Sequence, residues 1–227
     1  MFRFSSLTKT TLSLALFAMV GFASAVVAKA DVFQINQTGG TLPAQNYGTL
    51  ELTLNGSNQI VVTITMNAGI KLIQTGQDAS VAFNSSLSPD PTITVTGLAA
   101  GYSLLNGGVP TSPASIHMDG TGYFEYGIKS IFGANDAGAV QILTFTVSKT
   151  GGFSSINALL SPNAGGFTWA FDIFCQSCNN GQGATGFVGV GTNTTPQVPE
   201  PASMVLLGTG LLGLAGAVRR RIRKEQP

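Results

Sequence analysis

The sequence predicts an all-β fold, an antiparallel β-sandwich of jelly-roll or Ig-like type, and three observations point to it. Short apolar–polar alternations of period two recur through the middle of the chain. Gly, Pro, Asn and Ser interrupt them every few residues. No long segment of 3.6-residue periodicity lies between them.

The elements follow in order. Val32–Asn36 is a short first strand candidate. In "GTLELTLNGSNQIVVTITMN", Leu50, Leu52 and Leu54 alternate with Thr49, Glu51 and Thr53. After Asn55-Gly56-Ser57-Asn58, Ile60, Val62, Ile64 and Met66 alternate with Val61, Thr63 and Thr65. Two such runs around an Asn-Gly turn predict a hairpin with one dry and one wet face. Val81–Asn84 and Tyr123–Ile128 are further short candidates, and "PTITVTG" turns Ile93 and Val95 inward and Thr92, Thr94 and Thr96 outward. "QILTFTVSK" places Leu143, Phe145 and Val147 on one face. "GFTWAFDIF" places Phe167, Trp169, Phe171 and Ile173 on one face and Thr168, Ala170 and Asp172 on the other, where Asp172 is expected to meet solvent. Asn157–Leu160 alone suggests a helical turn.

Charge narrows the function classes. Only 9% of the 227 residues are Asp, Glu, Lys or Arg, against about 25% in ordinary soluble proteins. The net charge of +1 conceals a segregation. Between Asp31 and Val198 eight acidic residues face three lysines (Lys71, Lys129, Lys149) and no arginine, which leaves that stretch near −5. An acidic body lacks the basic face that nucleic acid requires.

Few residues in the body suggest chemistry. Cys175 and Cys178 form the only cysteine pair, without the βαβ context of a redox C-x-x-C and without the further ligands zinc needs. They are read as a disulfide pinning the loop after the Trp169 strand. Two G-x-G-x-x-G matches, at residues 181–186 and 208–213, lie outside any strand-to-helix turn and are chance in a chain with 29 glycines. There is no G-x-S-x-G, and a nucleophilic triad would have to use the sole histidine, His117. Asp119, Glu125, Asp136 and Asp172 are the carboxylates open to acid/base pairing, while Asp119, Asn135 and Asp136 lack a calcium-loop pattern. No catalytic residue, metal or cofactor is assigned. Thr63-x-Thr65, Thr92-x-Thr94-x-Thr96 and Thr144-x-Thr146 would form a hydroxyl array if their strands share a sheet; otherwise threonine there is simply a good β-former.

The two ends read differently from the body. Arg3 and Lys9 precede an apolar stretch from Leu12 to Phe22, followed by small-x-small sites at Ala23–Ala25 and Ala28–Ala30. This is the pattern of an export signal, with cleavage expected after Ala30 and Ala25 as the alternative. At the other end, Val198-Pro199-Glu200-Pro201 precedes the 17 uncharged residues Ala202–Val218, then Arg219, Arg220, Arg221, Arg223 and Lys224. As a helix that uncharged run would extend about 26 Å, at the short end of a membrane span. The basic cluster would stay cytoplasmic and hold the body outside. Domains are expected at 1–30 (signal peptide), 31–196 (body) and 197–227 (tail: motif 198–201, helix 202–218, basic segment 219–227).

The tail resembles the C-terminal sorting signal of PEP-CTERM proteins: a Pro-Glu-Pro motif, a short apolar helix and an arginine cluster, in that order. The resemblance covers about the last 30 residues. It implies recognition of Val198, Pro199, Glu200 and Pro201 by exosortase, an integral-membrane transpeptidase-like enzyme of Gram-negative bacteria that make exopolysaccharide. It also implies transient anchoring in the inner membrane, followed by release to the cell surface or extracellular matrix. A plain single-pass anchor is the alternative that physics alone leaves open. For the body the expectation is a non-catalytic structural or adhesive component of exopolysaccharide, biofilm or floc. Alternatives are a glycan-binding module using Thr94 or Tyr123, and an envelope hydrolase using Asp172 or Asp119.

Overall fold

The computed structural model describes residues 30–40 and 42–192. Ala28, the sorting motif 198–201, the expected helix 202–218 and the basic residues 219–224 lie outside them. Among the described residues no helix is long and apolar enough to cross a membrane. They form fourteen strands, β1 to β14 in chain order, with every pairing antiparallel.

The first sheet has five strands in the order β1 (Ala30–Ile35), β3 (Gly48–Leu54), β4 (Ile60–Met66), β12 (Ile142–Lys149) and β7 (Ile93–Thr96). The β3–β4 hairpin forms as its alternation predicts, with Leu54 opposite Ile60. Its turn is held by the Asn55 carboxamide, whose Oδ1 accepts from the N–H groups of Ser57 (2.9 Å) and Gln59 (3.0 Å). Leu50, Leu52, Ile60, Val62, Ile64, Leu143, Phe145 and Val147 are all fully or almost fully buried on the inner face.

The second sheet runs β2 (Gln37–Thr38), β14 (Ala184–Gly191), β13 (Phe167–Cys175), β6 (Val81–Phe83), β11 (Tyr126–Ser130) and β8 (Tyr102–Leu104). The short β5 (Ile70–Leu72) also pairs with β13. Trp169, Phe171, Ile173, Phe83 and Tyr126 meet the first sheet's apolar residues in one shared core. Trp169 stacks on Phe83 with centroids 4.3 Å apart, and its Nε1–H donates to Leu159 O at 2.7 Å. Leu159 closes a one-turn 3-10 helix, Ile156–Leu159, one residue before the turn expected at 157–160.

A third layer lies on the outer side of the second sheet. The hairpin β9 (Ile116–Met118) and β10 (Gly122–Phe124) buries Ile116, Met118 and Phe124 in a second apolar cluster with Ala79, Ala82, Ala170, Phe167 and Phe187. Small residues make the seat: a Cβ on Gly127 would come within 2.7 Å of Leu105 and 3.2 Å of Ile116. Two expectations for β13 are corrected by this layer. Asp172, expected in solvent, is fully buried, because the outer face of its strand is covered. Phe167 does not share a face with Trp169. The β13–β14 register shifts between them, so Thr168 bulges, its Oγ1 donates to Val190 O (3.0 Å), and Phe167 joins the outer cluster.

Candidate functional site: a hydroxyl-bearing sheet face and a buried carboxyl

The threonines of the first sheet come together on its outer face. Thr63 lies opposite Thr144, Thr146 opposite Thr96, Ser148 opposite Thr94, and Thr49 opposite Thr65. Thr144 Oγ1 and Thr63 Oγ1 are 3.4 Å apart, a hydrogen bond between neighbouring strands. Strand alternation sets this geometry. Side chains two residues apart point the same way, about 6.8 Å apart along a strand, and adjacent strands are about 4.8 Å apart. Three adjacent strands, β4, β12 and β7, therefore carry a hydroxyl lattice without an ionisable group. Glu51, opposite Thr63 on β3, brings the first charge. Exposed Ile142 lies opposite Thr65 and adds an apolar contact at one end.

A buried, strongly shifted carboxyl is on the other sheet. Asp172 Oδ2 accepts from Thr75 N–H at 2.5 Å, and the Thr75 hydroxyl lies 3.1 Å from the same oxygen. Burial raises the carboxyl to about 7; the two Thr75 hydrogen bonds oppose this, and the charge of Asp119 adds to it. Asp172 N–H donates to Ser80 O at 2.9 Å. Ser80 is fully buried and its Oγ has no hydrogen-bond partner among the described residues. Asp119 belongs to the β9–β10 turn, where its carboxylate stands 3.9 Å from His117 Nδ1. The His117 main chain is tied to the preceding loop, donating N–H to Asp78 Oδ2 at 2.8 Å. On β10, Tyr123 faces His117 with ring centroids 4.7 Å apart and is well exposed.

The remaining carboxylates named by the sequence serve loop structure. Glu125 accepts from Ser85 N–H (2.8 Å); burial pushes it upward and Asp90 adds to the effect, against that hydrogen bond. Asp136 accepts from Gly133 N–H (2.6 Å) and closes its own turn. No group of three or more His, Cys, Asp or Glu among the described residues is placed to hold a metal ion. Thr75, Asp78 and Ser80 were missed in the sequence. They are small polar residues of a loop and strand edge, and only tertiary packing brings Thr75 and Ser80 to Asp172 and Asp78 to His117.

Cys175 and Cys178 are joined as a disulfide with Cα atoms 5.4 Å apart, at the end of β13. The first glycine match leads into strand β14 and not into a helix. Ala30, the expected last residue of the signal, pairs with Thr53 as the first residue of β1.

No curated protein and no solved structure matches the chain. Residues 197–221 match the family model described as the PEP-CTERM protein-sorting motif. The chain thus carries a PEP-CTERM sorting motif, which implies export, sorting to the cell surface and an exosortase as its processing partner.

Proposed function

We propose that this is an exosortase-sorted surface or matrix protein. Its body would be a non-catalytic, structural or adhesive β-sandwich associated with exopolysaccharide. The sorting motif at 197–221 is the observation that carries the reading. The low charge and broad hydroxyl face suit a hydrated polysaccharide environment, where neutral hydroxyls exchange readily for water. In this reading residues 1–30 are a removed export signal. The helix 202–218 holds the chain in the inner membrane until cleavage near Pro199–Pro201, with Arg219–Lys224 on the cytoplasmic side.

The intact mass and C-terminal peptide of the protein from its native host's envelope and medium test this directly. A chain ending near Pro199–Pro201 is the expected result. A chain still ending at Pro227 would mean an ordinary membrane anchor and would remove the release step.

The register of the threonine face favours a second reading, specific glycan binding. Replacing Thr63, Thr94 and Thr144 by Val removes three hydroxyls while keeping shape and β-propensity. Saturable adsorption to the host's own polysaccharide is expected to weaken tenfold or more in the triple variant, with an unchanged melting temperature. Equal adsorption by the parent and the variant would discard this face as the binding surface.

A further inference from the structure

A concave site at the disulfide loop is lined by neither the threonine face nor Asp172. The segment after β2 and the disulfide loop after β13 border an open cleft of about 740 Å³, within the ~300–1,000 Å³ range of small-ligand sites. Its polar lining comes from Gln45, Ser177, Asn179 and Asn180, its apolar lining includes Leu42 and Pro43, and no charged side chain borders it among the described residues.

This chemistry selects a ligand class. A carboxamide presents donors and an acceptor side by side, and sugar hydroxyls likewise donate and accept. The exposed Pro43 ring suits the C–H face of a pyranose ring. A charged ligand would lose hydration here with no opposite charge to replace it, and a wholly apolar one would strand the amides. We infer that the cleft between Leu42–Gln45 and Ser177–Asn180 binds a short neutral oligosaccharide. The choice of a glycan rests on the polysaccharide-associated reading above; the cleft and its neutrality do not.

The loop is built to hold its shape. The Cys175–Cys178 disulfide closes it, Gly183 N–H donates to Cys178 O (3.1 Å), and Gln182 N–H donates to Asn179 O (3.1 Å). Asn179 and Asn180 both sit in the left-handed region, at φ 53° and 57°, which asparagine tolerates better than most side chains. Two consecutive residues held there project carboxamides from a fixed backbone. Across the cleft, Gln45 Nε2 donates to Cys178 Sγ at 3.7 Å, a contact between the two walls.

The test uses the oxidised protein purified from its host, titrated calorimetrically with maltotriose, cellotriose and galactotriose as neutral probes and tri-galacturonate as the acidic probe. At least one neutral trisaccharide is expected to bind saturably, and tri-galacturonate is not. The double variant Asn179→Gly, Asn180→Gly keeps the left-handed backbone and removes both carboxamides. It should bind tenfold or more weakly with an unchanged melting temperature. Reducing the disulfide should weaken binding similarly. No binding by any neutral probe, equal binding by the double variant, or equal binding of tri-galacturonate would each overturn the inference. Polysaccharide adsorption separates the two glycan readings. If it is lost in the threonine variant and unchanged in the loop variant, the sheet face carries the polysaccharide, and the cleft stands or falls on trisaccharide binding alone. Trisaccharide binding without polysaccharide adsorption leaves the cleft standing and removes the sheet-face reading.

Discussion

Raising the pH from 4 to 8 is expected to destabilise the folded protein through Asp172, and Asp172→Asn to abolish that part of the loss. The folded carboxyl titrates near 7, whereas an unfolded aspartate titrates near 3.9. Between those values the folded chain keeps a proton that the unfolded chain has released. Stability from this group is therefore complete below about pH 4, falls as pH rises, and is lost above about pH 7. Three units of separation correspond to roughly 4 kcal/mol across the interval. Asparagine imitates the protonated acid in shape and still offers Oδ1 to the Thr75 N–H. The variant should match the parent at pH 4 and exceed it by a few kcal/mol at pH 8. Denaturant midpoints of both proteins at pH 4, 6 and 8 supply the comparison. Parallel profiles would show that Asp172 titrates in the fold as it does in the unfolded chain. Asp119→Asn should shift the parent's transition to lower pH, because it removes the neighbouring negative charge.

The second large effect is expected at Trp169. Its indole is fully buried, stacked on Phe83 and, at 6.4 Å, on Phe171. Trp169→Ala removes the stack and leaves a cavity in the shared core, a loss of about 3–5 kcal/mol. Against a typical total of about 5–15 kcal/mol, that change would leave the variant close to unfolding. Trp169→Phe keeps an aromatic ring on Phe83 but deprives Leu159 O of its donor, for a smaller cost of about 1–3 kcal/mol. Equilibrium denaturation measures both. Equal losses in the two variants would mean that the hydrogen bond, and not the packing, carries the effect.

The strands and their inward faces were largely legible in the sequence where one face is dry and the other wet. β3, β4 and β12 show this, since burial of alternate residues writes itself as period two. β13 broke the rule for a physical reason. Its Thr168, Ala170 and Asp172 read as a wet face, yet the β9–β10 hairpin covers that face, seated on Ala79, Ala82, Gly127 and Ala170. Small residues at outward positions are the trace of such a layer, but alanine and glycine fit a solvent face equally well. The bulge at Thr168 left no mark on the alternation.

By itself, then, the sequence determined the all-β class, the first hairpin, the inward residues of the first sheet and the sorting motif. Each depends on neighbours a few residues apart. Tertiary structure alone decided that Thr63, Thr94, Thr96, Thr144 and Thr146 share one face, that Asp172 is buried against Thr75, and that Gln45 meets the disulfide loop. Those relations join segments as far as 133 residues apart, and long-range strand pairing leaves no periodic signature in either partner.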